Sequence, residues 1–317
     1  MTRDGEWRRP DAAGQNQGAP DAITVHRLPF TLRTGFGAVV AAALTILFSV
    51  LLLAHDPLVF WNDDYEISIL PVFADMARAW NHLEFPLLSP YSWVCGNLAG
   101  EFQYGVFSVF INALIICVWK LPLTFPQQAA AISIAHLAVL SCGAFMLARG
   151  RQLSIPLSIF VALVAPLNGW IICWGADDWF GALGAFTWLP WAWWAAERAL
   201  NAKGSRWRFL WPAPFIYLLV TGGFPYTVLM LGLVLLWLTL RTIFQIGAID
   251  NVSPTRTRPN ESGGSVSRGY LKQLTRIWPL FVGVILGLGL AAPAWLALLD
   301  YVHGSARQSL HPSAHWQ

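Results

Sequence analysis

Gly35–Ala54 reads GFGAVVAAALTILFSVLLLA, an unbroken apolar run without a single charged residue. A helix crosses about 30 Å of hydrocarbon with roughly 20 such residues, and only a structure that pairs its own backbone groups survives there. Six further runs reach or approach that length: Gln128–Ala148, Leu153–Trp174, Trp179–Ala196, Trp207–Thr221, Tyr226–Phe244 and Ile277–Leu299. Trp207–Thr221 is short and holds Pro212 and Pro214, while Gly105–Trp119 is apolar but falls below span length. The chain of 317 residues is 56% hydrophobic and 12% charged, with a mean hydropathy of +0.51. Globular domains carry about 25% charged residues. Disorder, collagen, nucleic-acid binding and a disulfide-stapled secreted fold are excluded for the chain as a whole. The expected fold is all-α: a polytopic membrane helix bundle of about seven transmembrane helices, with membrane-parallel helices in the first outer loop.

The basic residues set the expected orientation, because Lys and Arg are retained on the cytoplasmic side. If Gly105–Trp119 does not cross, 17 of the 20 Lys and Arg fall inside, and Arg78, Lys120 and Arg307 alone fall outside. Were that run to cross, the balance would reverse. Seven spans with the amino terminus in the cytoplasm is therefore the expected topology, with Gly35–Ala54 as a retained anchor. It divides the chain into a disordered cytoplasmic tail (1–33), a transmembrane module (34–299) and an outer tail (300–317). Within the module lie an outer loop (55–127) and a cytoplasmic linker (245–276), the latter rich in Ser, Thr, Gly, Pro and Arg. Cys95, Cys117, Cys142 and Cys173 show no metal-binding spacing and read as small buried hydrophobes rather than as a framework, although Cys95 and Cys173 are both near the outer side.

Asp and Glu contribute little to orientation, so their placement carries separate information. Seven carboxylates lie between His55 and Tyr104 with Arg78 as the sole basic residue. Two clusters stand at the same expected membrane level: Trp61-Asn62-Asp63-Asp64-Tyr65-Glu66, and Trp174-Gly175-Ala176-Asp177-Asp178-Trp179. Like charges at low dielectric raise a carboxylate pKa or attract a cation, which suits a general base or a divalent metal site. The plainer reading makes Asp63 and Glu66 a capping box and Asp177 a helix cap. Leu70, Phe73, Met76, Ala77 and Trp80 recur at helical spacing opposite Asp75 and Arg78, which predicts a helix in the interface plane, or a short helix packed on the bundle. Gly105–Trp119 is expected to be partly embedded or re-entrant.

The stretch Leu83-Glu84-Phe85-Pro86-Leu87-Leu88-Ser89-Pro90-Tyr91, then Gly96-Asn97-Leu98-Ala99-Gly100-Glu101-Phe102-Gln103-Tyr104-Gly105-Val106-Phe107, is similar to a pattern of the YfhO-like bacterial membrane proteins. Those are relatives of the GT-C glycosyltransferases. Pro190 with Glu197-Arg198, and Ser305-Ala306-Arg307, continue the resemblance; Leu88-Ser89 stands where the family has Trp-Asn. The resemblance implies a GT-C-like seven-span module in a bacterial inner membrane, and, since members run on for several more spans, a module alone or a truncated product. It implies an enzyme that transfers a sugar from a polyprenyl-phosphate carrier to an extracytoplasmic glycan or protein acceptor.

In that chemistry an acceptor hydroxyl loses a proton as it attacks the anomeric carbon, and Asp63 or Asp64 is the expected general base. Asp177 and Asp178 are expected to hold a divalent metal, Mg or Mn, against the leaving lipid phosphate, unless Arg307 supplies that charge. Glu66, Glu101, Gln103 and Arg307 are the candidate substrate-binding residues. The competing class is a non-catalytic membrane protein, a transporter or lipid-handling scaffold. Transporters place ionisable residues near the midplane, whereas the expected span interiors here hold none, which speaks against ion-coupled transport.

Overall fold

The structure, a computed structural model, describes residues 32–89, 91, 96–201, 206–252 and 265–304. Among them the chain forms helices and turns, with one isolated β-bridge between Leu88 and Asn97 and no strand. The helices are α1 (Leu32–His55), α2 (Leu70–Asn81), α3 (Val109–Val118), α4 (Phe125–Gly150), α5 (Ile155–Leu167), α6 (Phe180–Phe186), α7 (Leu189–Asn201), α8 (Pro212–Thr221), α9 (Pro225–Val252), α10 (Ser265–Leu290) and α11 (Ala292–Gly304).

α4 is the central post. Pro126 occupies its first turn, where a missing N–H is harmless, and Gln127 Oε1 accepts a hydrogen bond from the Thr124 N–H at 3.0 Å. α1, α3, α5, α6 and α7 all pack against it. Of its most apolar stretch 67% is buried, against 22% for α1 and for α9, whose Leu, Val and Phe side chains face outward. Three helices among the described residues (Thr34–His55, Phe125–Gly150 and Pro225–Phe244) are long and apolar enough to cross a membrane, or four if α10 and α11 count as one bent span.

The other runs expected as single spans are broken, and proline marks each break. Leu153–Trp174 divides into α5 and a π-helical turn, Ile171–Gly175. Pro166 interrupts the ladder, and Asn168 then ends α5 by donating its Nδ2 to the Ala165 carbonyl (2.7 Å) and starts the next segment by accepting from the Ile171 N–H (3.1 Å). Trp179–Ala196 divides into α6 and α7, because the Pro190 ring has no room beside the carbonyl of Phe186, the last residue of α6. Pro293, in the first turn of α11, parts it from α10 with a 60° bend. Trp207–Thr221 resolves into a 3₁₀ turn, Arg206–Leu210, and α8 with Pro212 at its start. The expected 245–276 linker is narrower at both ends, since α9 reaches Val252 and α10 begins at Ser265.

α8 and α10 meet through two glycines one turn apart. A methyl group at Gly287 would stand 2.7 Å from Ile216 Cβ and 2.9 Å from the Ala213 carbonyl oxygen, and one at Gly283 2.5 Å from the Phe209 oxygen. This small-xxx-small spacing lets the two backbones approach, as in helix pairs inside lipid.

The segment after α1 returns to the bundle. A π-helical turn, Tyr65–Ile69, runs directly into α2, and the Leu70 N–H bonds the Tyr65 carbonyl, widening the helix just before Pro71. Helix therefore starts earlier than Pro71 alone suggests. Leu70, Phe73, Met76 and Ala77 form the buried face as the spacing indicates, and that face is covered by protein. It packs on Ile111 and Ile115 of α3, Ala129 and Ile132 of α4, and Phe180 of α6, which is the short packed helix of the plainer reading. A 3.6-residue apolar stripe is satisfied equally by protein or by lipid, so its period does not choose. α3 spans about 15 Å, too short to cross. Cys117 and Cys173 are free and exposed and Cys142 is free and half-buried, so the reading of the cysteines as buried hydrophobes fails for the first two; Cys95 lies outside the described residues.

Phe180 joins these layers: fully buried, it makes edge contacts with Tyr65 (5.7 Å), Phe73 (5.1 Å) and His136 (4.9 Å). Phe180→Ala should destabilise the fold by about 3–5 kcal/mol through the cavity it leaves. Phe160→Ala, on the 63% exposed side of α5, should stay within about 0.5 kcal/mol. Unfolding midpoints of the purified variants check both.

Candidate functional site

Two chain segments more than a hundred residues apart meet at the Phe125 end of α4. The first is Asn62–Asp64, directly before the π-helical turn. The second is the Trp174–Trp179 turn between α5 and α6. The Trp174 carbonyl accepts from the N–H groups of Asp178 (3.2 Å) and Trp179 (2.6 Å), and the two indoles stack at 4.6 Å. That closure turns the carboxylates of Asp177 and Asp178 toward the first segment. Asn62 Nδ2 donates to Asp177 Oδ2 at 3.4 Å, and the Asp64 N–H donates to Asp178 Oδ1 at 3.3 Å.

The floor beneath is built from α4. Ser133 Oγ donates to the Ala176 carbonyl (2.9 Å), and Tyr65 Oη donates to the Ala129 carbonyl (3.4 Å). Tyr65 is fully buried, and that burial raises its hydroxyl pKa well above the usual tyrosine range, so it acts as a neutral strut.

Neither acidic segment serves as a helix cap. Asp64 precedes the π-helical turn and Trp179 precedes α6, and no side-chain cap bond is made at either position. The capping readings of Asp63 with Glu66 and of Asp177 therefore give way to a ledge on which Asp63, Asp64, Asp177 and Asp178 come together. Asp63 has a left-handed backbone, φ 36°, which a non-glycine residue adopts at a cost; its N–H bonds Asn62 Oδ1 at 3.1 Å, and its side chain is exposed.

The electrostatics follow from the crowding. Burial raises the Asp177 carboxyl above its ordinary value, the Asn62 amide opposes this, and the charges of Asp178 and Asp56 add to the rise. Asp178 is also raised, first by burial and then by Asp64 and Asp63, against the stabilising Asp64 N–H. Asp177 Oδ1 is buried with no hydrogen-bond partner among the described residues.

No group of three or more His, Cys, Asp or Glu side chains among the described residues is gathered as a metal-ion cluster. Mg²⁺ is often held by one or two carboxylates and completed by water and substrate phosphate. Asp177 and Asp178, with one buried oxygen unclaimed, fit that smaller donor set and not an all-protein cage.

The other candidates among the described residues do not join the contacts of this ledge. Glu66 is exposed on the π-helical turn. Half-buried Glu101 precedes a 3₁₀ turn, Phe102–Tyr104, which carries exposed Gln103 and packs on the start of α6: a methyl group at Gly181 would be 3.0 Å from the Gln103 carbonyl oxygen. Tyr301 of α11 lies against Gly100, beside Glu101. Arg307 lies outside the described residues. Asp75, by contrast, is held by Arg78 at 2.8 Å and by the Ser89 hydroxyl, and fastens the outer loop to α2.

Sequence reasoning overlooked Asn62, Asp56 and Ser133. Asn62 sits within the acidic cluster, and an amide beside carboxylates was the available signal. Ser133 offered none, since a hydroxyl on an apolar helix has many ordinary uses.

Comparison with protein-family models, curated proteins and solved structures finds no match to this chain. The geometry therefore carries the functional reading.

A carboxyl whose folded pKa is raised holds its proton more tightly in the native state, so stability falls as pH rises from the ordinary carboxylate range toward the raised value. Asp177→Asn, which keeps an acceptor for Asn62, should raise the thermal midpoint at pH 7 and change it less near pH about 4. Melting curves at the two pH values check the sign; a midpoint lowered at pH 7 would mean that the ionised carboxylate is stabilising.

Proposed function

We propose that this chain is a multi-pass membrane glycosyltransferase of GT-C type, which uses a polyprenyl-phosphate-linked sugar on the outer side of a bacterial inner membrane. The observation that carries the reading is the meeting of Asn62–Asp64 with Asp177–Asp178 on one ledge. Membrane residence rests on the three helices of span length and on the outward apolar side chains of two of them, α1 and α9.

Orientation draws support from charge. Ala129 and Ser133, near one end of α4, touch the acidic ledge, whereas Arg149 and Arg151 lie at the other end, where Arg151 pairs with Glu197 at 2.5 Å. The twenty steps from Ala129 to Arg149 rise about 30 Å, the thickness of the hydrocarbon layer. With the arginines in the cytoplasm, the ledge faces outward. Seven spans would require α5, the α6–α7 pair, α8 and the bent α10–α11 pair to act as interrupted or short crossings beside the three span-length helices.

Asp63 is the favoured general base. Its carboxylate is exposed, whereas Asp64 is half-buried and spends its N–H on Asp178, and local strain is commonly retained where it positions a reacting group. It would take the proton of an acceptor hydroxyl as that oxygen attacks the anomeric carbon. Asp177 and Asp178 would hold Mg²⁺ or Mn²⁺, which when bound supplies positive charge to the departing lipid phosphate. Glu66, Glu101 and Gln103 would bind sugar or acceptor hydroxyls, and Arg307 would pair with phosphate.

Asp63→Asn and Asp64→Asn, each assayed in membranes for sugar transfer from a polyprenyl-phosphate donor, test the assignment. Loss of the base should slow transfer by about 10²–10⁴-fold, with the larger loss in Asp63→Asn and normal amounts of folded protein. Unimpaired transfer in both variants would remove the base from this ledge.

A further inference from the structure

A second feature lies at the other end of the bundle. A cavity of about 700 Å³ opens between α4, α5 and α7. Its walls are apolar, with Leu140, Ala144 and Leu147 on one side and Val161 and Ala165 on another; its polar residues stand at the two extremes, Asn168 and Arg151. The volume is within the roughly 300–1,000 Å³ of ligand pockets. From Leu140 to Arg151 the helix rises about 16 Å, half of the roughly 30 Å hydrocarbon thickness and so the depth of one leaflet.

The Arg151 end is basic and rich in tryptophan. Arg151 lies over Trp193 (5.4 Å) and Trp237 (5.3 Å), Arg198 over Trp194 and Trp211 (5.0 Å each), and Arg241 over Trp237 (5.4 Å). Glu197 uses its carboxylate on Arg151 and on Trp193 Nε1, yet the Arg151 side chain keeps 33% exposure. Arg149 donates to the Leu153 carbonyl, and its Nε is buried without a hydrogen-bond partner among the described residues. Arg151, which pairs with Glu197, and Arg149, which bonds the Leu153 carbonyl, thus stand where the groove meets the bundle end. Indoles stacked on cations are the usual lining of a lipid headgroup zone.

We propose that this groove binds one acyl chain of an anionic glycerophospholipid, whose phosphate sits at Arg151 and Arg149. The inference rests on the membrane reading above and not on the glycosyltransferase reading. Charge decides which lipid. The guanidinium groups stand at the Arg151 end, so a lipid in this slot puts its phosphate there, whereas a donor lipid engaged in transfer would have its phosphate at the ledge beyond the Asn168 and Trp170 end. Inside a bilayer, an apolar lining gives no preference among lipids, since the tails are apolar as well. Selectivity must therefore reside at the arginines, and it separates anionic from zwitterionic headgroups.

Native mass spectrometry of the detergent-purified full chain tests this with phosphatidylglycerol, phosphatidylcholine and a polyprenyl phosphate offered separately and in pairs. Phosphatidylglycerol should bind about tenfold more tightly than phosphatidylcholine, since both carry the phosphate but the quaternary ammonium of the latter is repelled by the arginines. Ala165→Trp, which fills the groove, should remove phosphatidylglycerol binding. Arg151→Gln combined with Glu197→Gln, which strands no lone charge, should abolish the preference for phosphatidylglycerol. Equal binding of the two phospholipids to the unmodified protein would overturn the proposal, as would displacement of phosphatidylglycerol by an equal concentration of the polyprenyl phosphate. Undiminished binding in a folded Ala165→Trp protein would also overturn it. Release of the protein from membranes by alkaline carbonate would instead refute the membrane reading, which keeps the two failures apart.

Discussion

Four carboxylates held on one ledge repel one another, and something beneath must hold them there. The restraint is mostly apolar: Tyr65 and Phe73 close on Phe180, and α2 and α3 close on α4. Two hydrogen bonds at the surface, from Asn62 and from the Asp64 N–H, then set the register between the segments. Buried area can offset charge repulsion because each large side chain contributes about 1.5–3 kcal/mol, while partly exposed like charges are weakened by solvent. Burial first, and the neighbouring carboxylates after it, raise both Asp177 and Asp178, so holding the ledge together costs stability at the same two groups.

α4 ties the two ends of the molecule into one polarity. Its first half supports the acidic ledge through Ala129 and Ser133, and its last turn leads to the Arg151–Glu197 pair amid stacked tryptophans. The intervening length matches a hydrocarbon layer. Around this post the chain alternates long apolar helices with broken ones. The breaks create the features of interest: the interruption at Asn168 leads into the turn that carries Asp177 and Asp178, and the gap left beside α5 forms the groove.

How much of this could be read from residues alone differs by feature. The all-helical character, the apolar face of α2 and the two acidic clusters were accessible, because each is a local pattern of composition or period. The division of four expected spans was not. Pro166, Pro190 and Pro293 were visible, but a proline within an apolar run kinks a helix in one context and ends it in another, and the neighbours that satisfy the freed carbonyls decide. The destination of the α2 face was ambiguous for a similar reason, since a stripe does not say what covers it. Asn62 and Ser133 act through contacts 115 and 43 residues away, which no local pattern encodes.

The account depends most on the proximity of Asn62 to Asp177. After replacement of the exposed cysteines Cys117 and Cys173 by serine, the pair Asn62→Cys and Asp177→Cys can be treated in native membranes with a short thiol cross-linker. Because the native side chains are within hydrogen-bond distance, the account predicts rapid intramolecular cross-linking, with none when Asp177→Cys is paired instead with a cysteine at Arg241 at the opposite end of the bundle. Failure of the Asn62–Asp177 pair to cross-link, with both thiols reactive to a single-site reagent, would contradict it.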